Sequence, residues 1–541
     1  MKKVSVSHKI RRTFRPRKSG FHPSNPRYKW FVLTNVMVGT FMAVLNNTVV
    51  NVGLPKMMSS FGVGLSTIVW VQTAYMLAMA SVMPVSGWLA DKYGYKRIYF
   101  SGLFFFTLGS LLCGLSTNEN ILIFSRVIQG LGGGLIQPLG MAIILREFPL
   151  AQRGIALGFW GIASAASVSF GPVIGGYLSD NFNWQMIFNI NVPVGIIAMI
   201  LTFLIQREFT NNEHRKFDIV GFISVIIFLP LLLYALSEGN AVTNAEGWNA
   251  PHILFCFAIS TIALAVFITR ELTFEYPLID LKLLANRNFG LCTLVVFIFN
   301  IGMFGSTFLL PLYLQNSMNY TALQSGYMFL PIGIIQGFVS PISGIISDKY
   351  NPKILPIIGI TLLAISFYIN STLSFLSENA FIMISFYIRG FAMGIIFTPL
   401  NKMSFLTIPH RKMAQASSIT NTLRQIGASF GVAFLTTMLT SRINFHSQVY
   451  SQAIQSQSPS FKNVSQQLTY FAQQHLGTPL YSATKQGQYL LLSHVNTQAY
   501  IQGIDDDFLL AAIITFIGIF PIFLLKTKNN KKNKQLNMPV Q

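Results

Sequence analysis

Residues 44–55 read VLNNTVVNVGLP. Asn46, Asn47 and Asn51 close an apolar run, and three arginines, Arg126, Arg389 and Arg424, stand inside other apolar runs. Amides and guanidinium groups in hydrocarbon must find partners or cost free energy, roughly 2.5–3.5 kcal/mol for an arginine at mid-membrane. The chemistry such residues offer is recognition, through hydrogen bonds between helices or to a bound solute. It is not bond making: the sequence shows no nucleophile–base or metal-ligand constellation. No G-x-x-x-x-G-K-[ST] occurs, so there is no Walker-type phosphate cradle. No cofactor, no metal and no enzyme activity are expected.

The elements that must hold these residues follow from composition. Of 541 residues, 10% are charged and 52% hydrophobic, against about 25% charged in a soluble protein. A helix needs about 20 apolar residues to cross the hydrocarbon core. Fourteen runs qualify: 31–51, 68–90, 98–116, 121–145, 154–178, 187–206, 217–236, 251–268, 288–314, 325–347, 354–374, 379–403, 416–440 and 507–525. An even number puts both termini on one side. Of the 38 lysines and arginines, 31 fall in the N-terminal arm, the C-terminal tail and the loops after even-numbered runs. The opposite loops hold Lys56, Arg442, Lys462 and Lys485. By the positive-inside rule both termini are cytoplasmic. The net charge of +21 then reports topology and contact with membrane lipids, not nucleic acid. IRRTFRP in the arm partly resembles a twin-arginine export signal, but no small-residue cleavage site follows.

The expectation is an all-α, multi-pass protein of the cell membrane, with a composition that fits a bacterial source. Residues 1–30 form a basic arm, 31–206 a first six-helix half, and 207–287 two inserted helices. Residues 288–525 form a second six-helix half, and 526–541 a basic tail. Residues 441–506, rich in Gln and Ser, read as a long external loop inside the second half. Its His446, His475 and His494 are too far apart to suggest a metal site, and Asn463-Val464-Ser465 is a sequon by chance. Cys113, Cys256 and Cys292 all lie in apolar runs and read as packed thiols.

The two halves carry a repeat. Pro84-x-Ser86-Gly87-x-x-x-Asp91-Lys92-Tyr93-x-x-Lys96 recurs as Pro341-x-Ser343-Gly344-x-x-x-Asp348-Lys349-Tyr350-x-x-Lys353, at a constant offset of 257 residues. Repeated halves with substrate held between them are a common transporter design.

GWLADKYGYKR (87–97) resembles the loop signature of the major facilitator superfamily, and RVIQGLGGG (126–134) its fourth-span motif. GPVIGG (171–176), with Gly158 upstream, resembles the fifth-span motif of its exporters. LNNTVVNVGLP (45–55), NWQMIFNINVPVG (183–195) and NTLRQIGASFGVA (421–433) resemble the fourteen-span drug:proton antiporters. The resemblance covers nearly the whole chain. It implies the major facilitator fold of fourteen helices, alternating access, multidrug efflux of small lipophilic substrates, and antiport with protons.

The motifs also have a physical reading. Asp91 at a span end can pair with Arg97 and with a nearby helix terminus, forming a latch shaped by Gly87 and Gly94. Gly344 and Asp348 belong to the second copy, whose Asn351-Pro352 in place of Gly94-Tyr95 predicts a degraded latch. Gly130 and Gly134, Gly154 and Gly158, and Gly171 and Gly175 are GxxxG pairs that permit close helix approach. Pro172 bends the fifth span beside Gly171, Gly175 and Gly176.

One departure matters. The antiporter pattern has aspartate where this chain has Asn46, and asparagine cannot titrate. All 17 acidic residues read as lying outside the runs or within two residues of an end, and the eight histidines avoid run interiors. Asn46 and Arg126 sit at matching depth, roughly 8 Å from the outer ends of their runs, so Asn46 is expected to accept a hydrogen bond from Arg126. Asn47 and Asn51 share a helix face. Further cavity candidates are Gln72, Tyr75, Gln129, Asn300, Gln336, Asn421 and Arg424. An interior that is net positive favours neutral, zwitterionic or anionic amphiphiles. The alternatives are a translocator of lipid or anionic amphiphiles working by exchange or facilitation, and a non-transporting membrane sensor.

Overall fold

The computed structural model describes residues 25, 27–63, 65–68, 70–210, 217–239, 244, 246–275, 277–374, 377–453, 459–476 and 480–525. Most of the basic arm, the whole basic tail and the Asn51 side chain lie outside the described residues. In hydrocarbon every backbone N–H and C=O needs a partner within the chain, so the apolar runs become helices.

The first half contains α1 (Tyr28–Phe61), α2 (Trp70–Tyr93), α3 (Tyr95–Gly114), α4 (Glu119–Glu147), α5 (Arg153–Asn181) and α6 (Asn191–Ile205). Then come α7 (Ile219–Glu238) and α8 (Pro251–Thr273). The second half contains α9 (Arg287–Asn316), α10 (Ala322–Lys349), α11 (Ile354–Asn370), α12 (Asn379–Phe405) and α13 (Met413–Ala453). It ends with α14 (Pro459–Leu476) and α15 (Leu480–Ile517). Helix starts are set locally. Asn118 accepts from the Ile121 N–H at 2.9 Å, Asp218 from Gly221 at 3.0 Å, and Thr321 with Gln324 forms a reciprocal capping box.

Thirteen of the described helices are long and apolar enough to cross a membrane. The expected fourteenth, α11, is apolar but has only 17 residues, at the lower limit of about 17–25 for a span. Residues 441–506 differ from the expectation. Among its described residues the segment is helical: α13 runs on to Ala453, α14 follows, and α15 begins at Leu480. The segment is too polar to span, yet it buries Ala483, Leu491, Val495 and Ala499, and α14 meets α15 closely enough that a Cβ on Gly487 would lie 2.9 Å from the Thr469 N.

The largest buried cluster centres on α1–α6, takes in faces of α7 and α8, and extends to Phe405 of α12 and Met413, Ala414, Ala416 and Ile419 of α13. A second lies within α9–α13 and α15. Smaller clusters lie at one end of the first half and between α7 and α8. The principal junction between the halves is α5 against α10. A Cβ on Gly158 would lie 2.7 Å from the Ser340 O, and one on Gly326 2.8 Å from the Pro172 Cβ. Gly154 and Gly344 meet backbone to backbone. The glycines of α5 serve two neighbours, because Gly171 abuts Thr48 and Gly175 abuts Val49 of α1, whereas Gly176 faces Leu323 of α10.

The inserted pair is not peripheral. Tyr234 of α7 stacks on Trp70 of α2 at 5.7 Å between centroids, and Trp248 donates to Thr437 Oγ1 of α13 at 3.0 Å. The α7–α8 hairpin therefore bridges the two halves along one side.

Gly344→Val forces a side chain into the Gly154 backbone and should lower stability by about 1–3 kcal/mol. Gly337→Ala, whose Cβ would meet only Ile162 at 3.7 Å, should leave it unchanged. Thermal unfolding of both variants in detergent checks the contrast, and equal midpoints would refute the close-packed junction.

Candidate functional site

A cavity of about 340 Å³ is lined by residues of both halves. Asn47, Thr73, Gln137 and Ser169 reach it from the first half, Leu233 from α7, and Asn300, Thr307, Gln336, Arg389 and Arg424 from the second. Apolar walls come from Met76, Phe299, Phe304, Phe329 and Phe397. Among the described residues no Asp or Glu lines it. Arg424 Nη2 donates to Asn421 Oδ1 at 2.6 Å and to Gln137 Oε1 of α4 at 3.1 Å, so it ties the halves together. Arg389 Nη2 donates to the Met303 O at 3.1 Å and to Thr307 Oγ1. Its Nε and Nη1 have no partner in the protein.

Of the ten cavity candidates, Asn47, Asn300, Gln336 and Arg424 line this space, and Asn421 supports it from behind through Arg424. Gln72 is not among the lining residues. Asn46, Tyr75, Arg126 and Gln129 form a separate cluster buried inside the first half. There the expected Asn46–Arg126 bond is corrected: Gln129 stands between them. Arg126 Nη1 donates to Gln129 Oε1 at 2.6 Å, and Gln129 Nε2 donates to Asn46 Oδ1 at 3.2 Å and to Ser110 Oγ at 2.7 Å. Arg126 Nε donates to the Val71 O at 2.8 Å, and its guanidinium lies over the Tyr75 ring at 4.2 Å. Two hydrogen bonds to a charged donor contribute about 1.5–3 kcal/mol each, and a desolvated cation–π contact about 2. Together they exceed the roughly 2.5–3.5 kcal/mol insertion cost. Arg126 is thus held by dipoles and a π face, with Asn46 at the far end of the relay.

The repeated motifs meet at the Asp91 end. Asp91 is buried and accepts from Tyr95 Oη at 3.1 Å, and that hydroxyl also lies at the Ala414 N–H at the start of α13. Gly87 packs on the Ala414 backbone at 3.0 Å for its Cβ position. Arg97 turns outward to Glu208 Oε2 at 3.6 Å, which corrects the expected pairing with Asp91. Gly94 has φ 106°, a left-handed value that favours glycine, with the Glu208 carboxylate close by. The second copy is not degraded. Asp348 pairs with Lys402 and accepts the N–H groups of Gly154 and Ile155 at the start of α5. Asn351-Pro352 alters the turn but not the carboxylate. Each aspartate therefore serves the N-terminus of a helix in the other half, directly or through Tyr95. Ser418 donates to the Met83 O at 2.6 Å and Ser417 to the Pro138 O at 2.8 Å, completing closure at this end.

Arg389, an intramembrane arginine outside the ten cavity candidates, also lines the space. A second register in the sequence could have found it. Gly130 and Gly134 recur as Gly390 and Gly394, and both pairs pack on backbone: Gly130 on the Tyr75 O and Gly390 on the Ile332 O. That register sets Arg389 opposite Gln129. Leu233 and the aromatic walls carry no sequence signal, since lining and core apolar residues look alike.

Two packed helical halves, closed against each other at one end around a central cavity, define a membrane transporter scaffold of the alternating-access type. Comparison with known proteins agrees. The Major Facilitator Superfamily model matches residues 36–432, and the chain belongs to that superfamily. It is 32% identical over 512 residues to the MFS-type transporter YhcA of Bacillus subtilis, covering 94% of this chain and 96% of that protein. It is 33% identical over 435 residues to the multidrug export protein EmrB of Escherichia coli, covering 80% and 84%. The human organic anion transporter MFSD10 superposes with a TM-score of 0.59 at 12% identity, covering 91% of this chain and 99% of that one, a likeness of fold.

Gln129→Leu leaves Arg126 Nη1 and Asn46 Oδ1 both without the bonds described above. It should cost about 1.5–3 kcal/mol of stability, more than Asn46→Leu, which removes one uncharged bond. Unfolding midpoints of the two variants in detergent decide the order, and a larger loss in Asn46→Leu would contradict the relay.

Proposed function

We propose that this chain is an exporter of lipophilic and amphiphilic compounds, of the multidrug type, and that its cavity prefers neutral, zwitterionic or anionic substrates. The observation that carries the preference is that Arg389 lines a cavity in which no carboxylate is found among the described residues. A second cation, Arg424, shares that lining. Aromatic and methionine side chains suit varied apolar bodies, and the arginines suit a carboxylate, sulfonate or carbonyl head. The similarity to EmrB, a protein named for multidrug export, supports the exporter reading.

On this reading both termini and the Asp91 end are cytoplasmic, as the distribution of basic residues indicates. The Asp91 and Asp348 contacts act as latches that hold the cytoplasmic side closed. The α5–α10 glycine junction is the surface about which the halves rock. Substrate arriving from inside would have to break both latches, and reclosure would expel it outward. Asn46 cannot carry a proton, so any proton coupling needs a different carboxyl group.

Uptake into energised inside-out vesicles, with fluorescent anionic, neutral and quaternary ammonium amphiphiles in turn, tests the preference. Anionic and neutral probes should accumulate faster than the cationic one; the reverse order would sink the proposal. Arg389→Gln and Arg424→Gln should each cut uptake of the anionic probe about tenfold, a loss equivalent to one charged hydrogen bond. Neutral-probe uptake in the same vesicles should fall less than twofold.

A further inference from the structure

Three acidic residues in succession, Asp505, Asp506 and Asp507, sit in α15 where its polar extension gives way to FLLAAIITFI (508–517). At about 100° per residue a helix sends their side chains in three directions. Asp506 turns to α13, where Arg442 Nε lies at 3.6 Å and His446 Nε2 at 2.9 Å. Asp505 turns to the end of α11, with one oxygen at the Leu373 N–H and the other without a partner. Asp507 turns inward, is 0% exposed, and neither of its oxygens has a hydrogen-bond partner in the protein. Composition had placed Asp507 at a span margin. The continuous helix buries it instead.

The sequence of charges explains why this is more than an acidic patch. Arg442 and His446 of α13 are the basic groups nearby, and both are directed at the partly exposed Asp506; Arg442 is also within electrostatic reach of Asp507, without a hydrogen bond to it, and the Asp506 charge opposes its effect there. From α9 the titratable neighbour is Tyr313, which lies toward Asp505 and donates to the Ser374 O at 2.8 Å. A carboxylate with no hydrogen-bond donor and no ion pair of its own is costly at a fully buried position.

We propose that Asp507, flanked by Asp505, is a proton-binding site of the second half, loaded from the side opposite the latches. The inference rests on the exporter reading. Its position suits coupling: α15 packs on α9 through Gly302 against Ala511 and Thr515, and on α13 through Gly503 against Ile443 and Leu439. Helices α9 and α13 also carry Asn300 and Arg424 into the cavity. Gain or loss of the proton at Asp507 therefore changes the charge at a junction shared by two cavity helices. This supplies the titrating group that Asn46 does not.

Two measurements test it. Wild-type protein in native membrane vesicles is treated with dicyclohexylcarbodiimide, which modifies protonated carboxyls in apolar surroundings, and the peptides are read by mass spectrometry. Asp507 should be labelled, with labelling falling as pH rises, while the ion-paired Asp506 is spared. Separately, uptake is compared with and without an imposed pH gradient in wild type, Asp507→Asn and the exposed-site control Glu275→Gln. The gradient should stimulate wild type and the control at least fivefold and Asp507→Asn less than twofold. Full stimulation in Asp507→Asn, absence of labelling at Asp507 at any pH, or protection of Asp507 by sodium at fixed pH would each overturn the proposal. Wild type that moves no amphiphile under any gradient would defeat the exporter reading alone, since the labelling result stands apart from transport.

Discussion

A guanidinium in hydrocarbon must be surrounded by acceptors or π faces, and the polar interior of this protein is organised around meeting that demand at three places. Arg126 has the Val71 carbonyl, Gln129 and the Tyr75 ring. Arg424 has Asn421 and Gln137. Arg389 has the Met303 carbonyl, Thr307 and the Phe367 ring. Arg126 Nη2 and Arg389 Nε and Nη1 have no hydrogen-bond partner among the described residues. In none of these sets is the partner a carboxylate. Dipoles can hold a cation in place without cancelling its charge, so the cavity lining stays net positive among the described residues. The amide at Asn46 fits the same logic: it completes a chain of neutral acceptors and adds no titrating group.

The constraint on the arginines becomes a constraint on the helices. Gln129 meets Arg126 three residues away on α4, and Arg126 reaches the Val71 carbonyl and the Tyr75 ring because α4 lies very close to α2, with Gly130 against the Tyr75 carbonyl and Gly134 against the Met79 carbonyl. The same device operates between the halves, where glycines bring α5 and α10 backbone to backbone. An interface without bulky side chains has few interdigitated knobs to break. It can turn as a unit, while the polar contacts at one end, through Asp91 and Asp348, set whether that end is shut.

Much of the architecture was legible in the sequence because membrane chemistry leaves few choices. Long apolar runs must be helices, and a motif repeated at constant offset must mark corresponding places. The site was less legible. Asn300, Gln336 and Arg424 were found as polar residues in apolar runs, and all three face the cavity. Arg126 and Gln129 satisfied the same rule yet point into the first half's own core, since polarity marks a residue as needing a partner without saying whether the partner is protein or substrate. Residues 441–506 were misread for a related reason, as a segment too polar to span can still be helical where it packs on another helix. Asp507 was missed because hydropathy ends a span at a charge, whereas a helix buried among neighbours does not.

The register that sets Gln129 opposite Arg389 shows how the halves have diverged around one framework. Each position precedes a glycine that packs on the carbonyl of a neighbouring helix, Tyr75 in one case and Ile332 in the other. In the first half the position holds a neutral amide that bridges Arg126 to Asn46, and the resulting cluster is closed off from the cavity. In the second half it holds the arginine itself, with Thr307, the Met303 carbonyl and the Phe367 ring about it. Neither arginine is fully met by the protein: Arg126 Nη2 and Asn46 Nδ2 in the first half, and Arg389 Nε and Nη1 in the second, have no hydrogen-bond partner among the described residues. The difference is one of placement, since the Arg126 cluster stands apart from the cavity whereas Arg389 lines it.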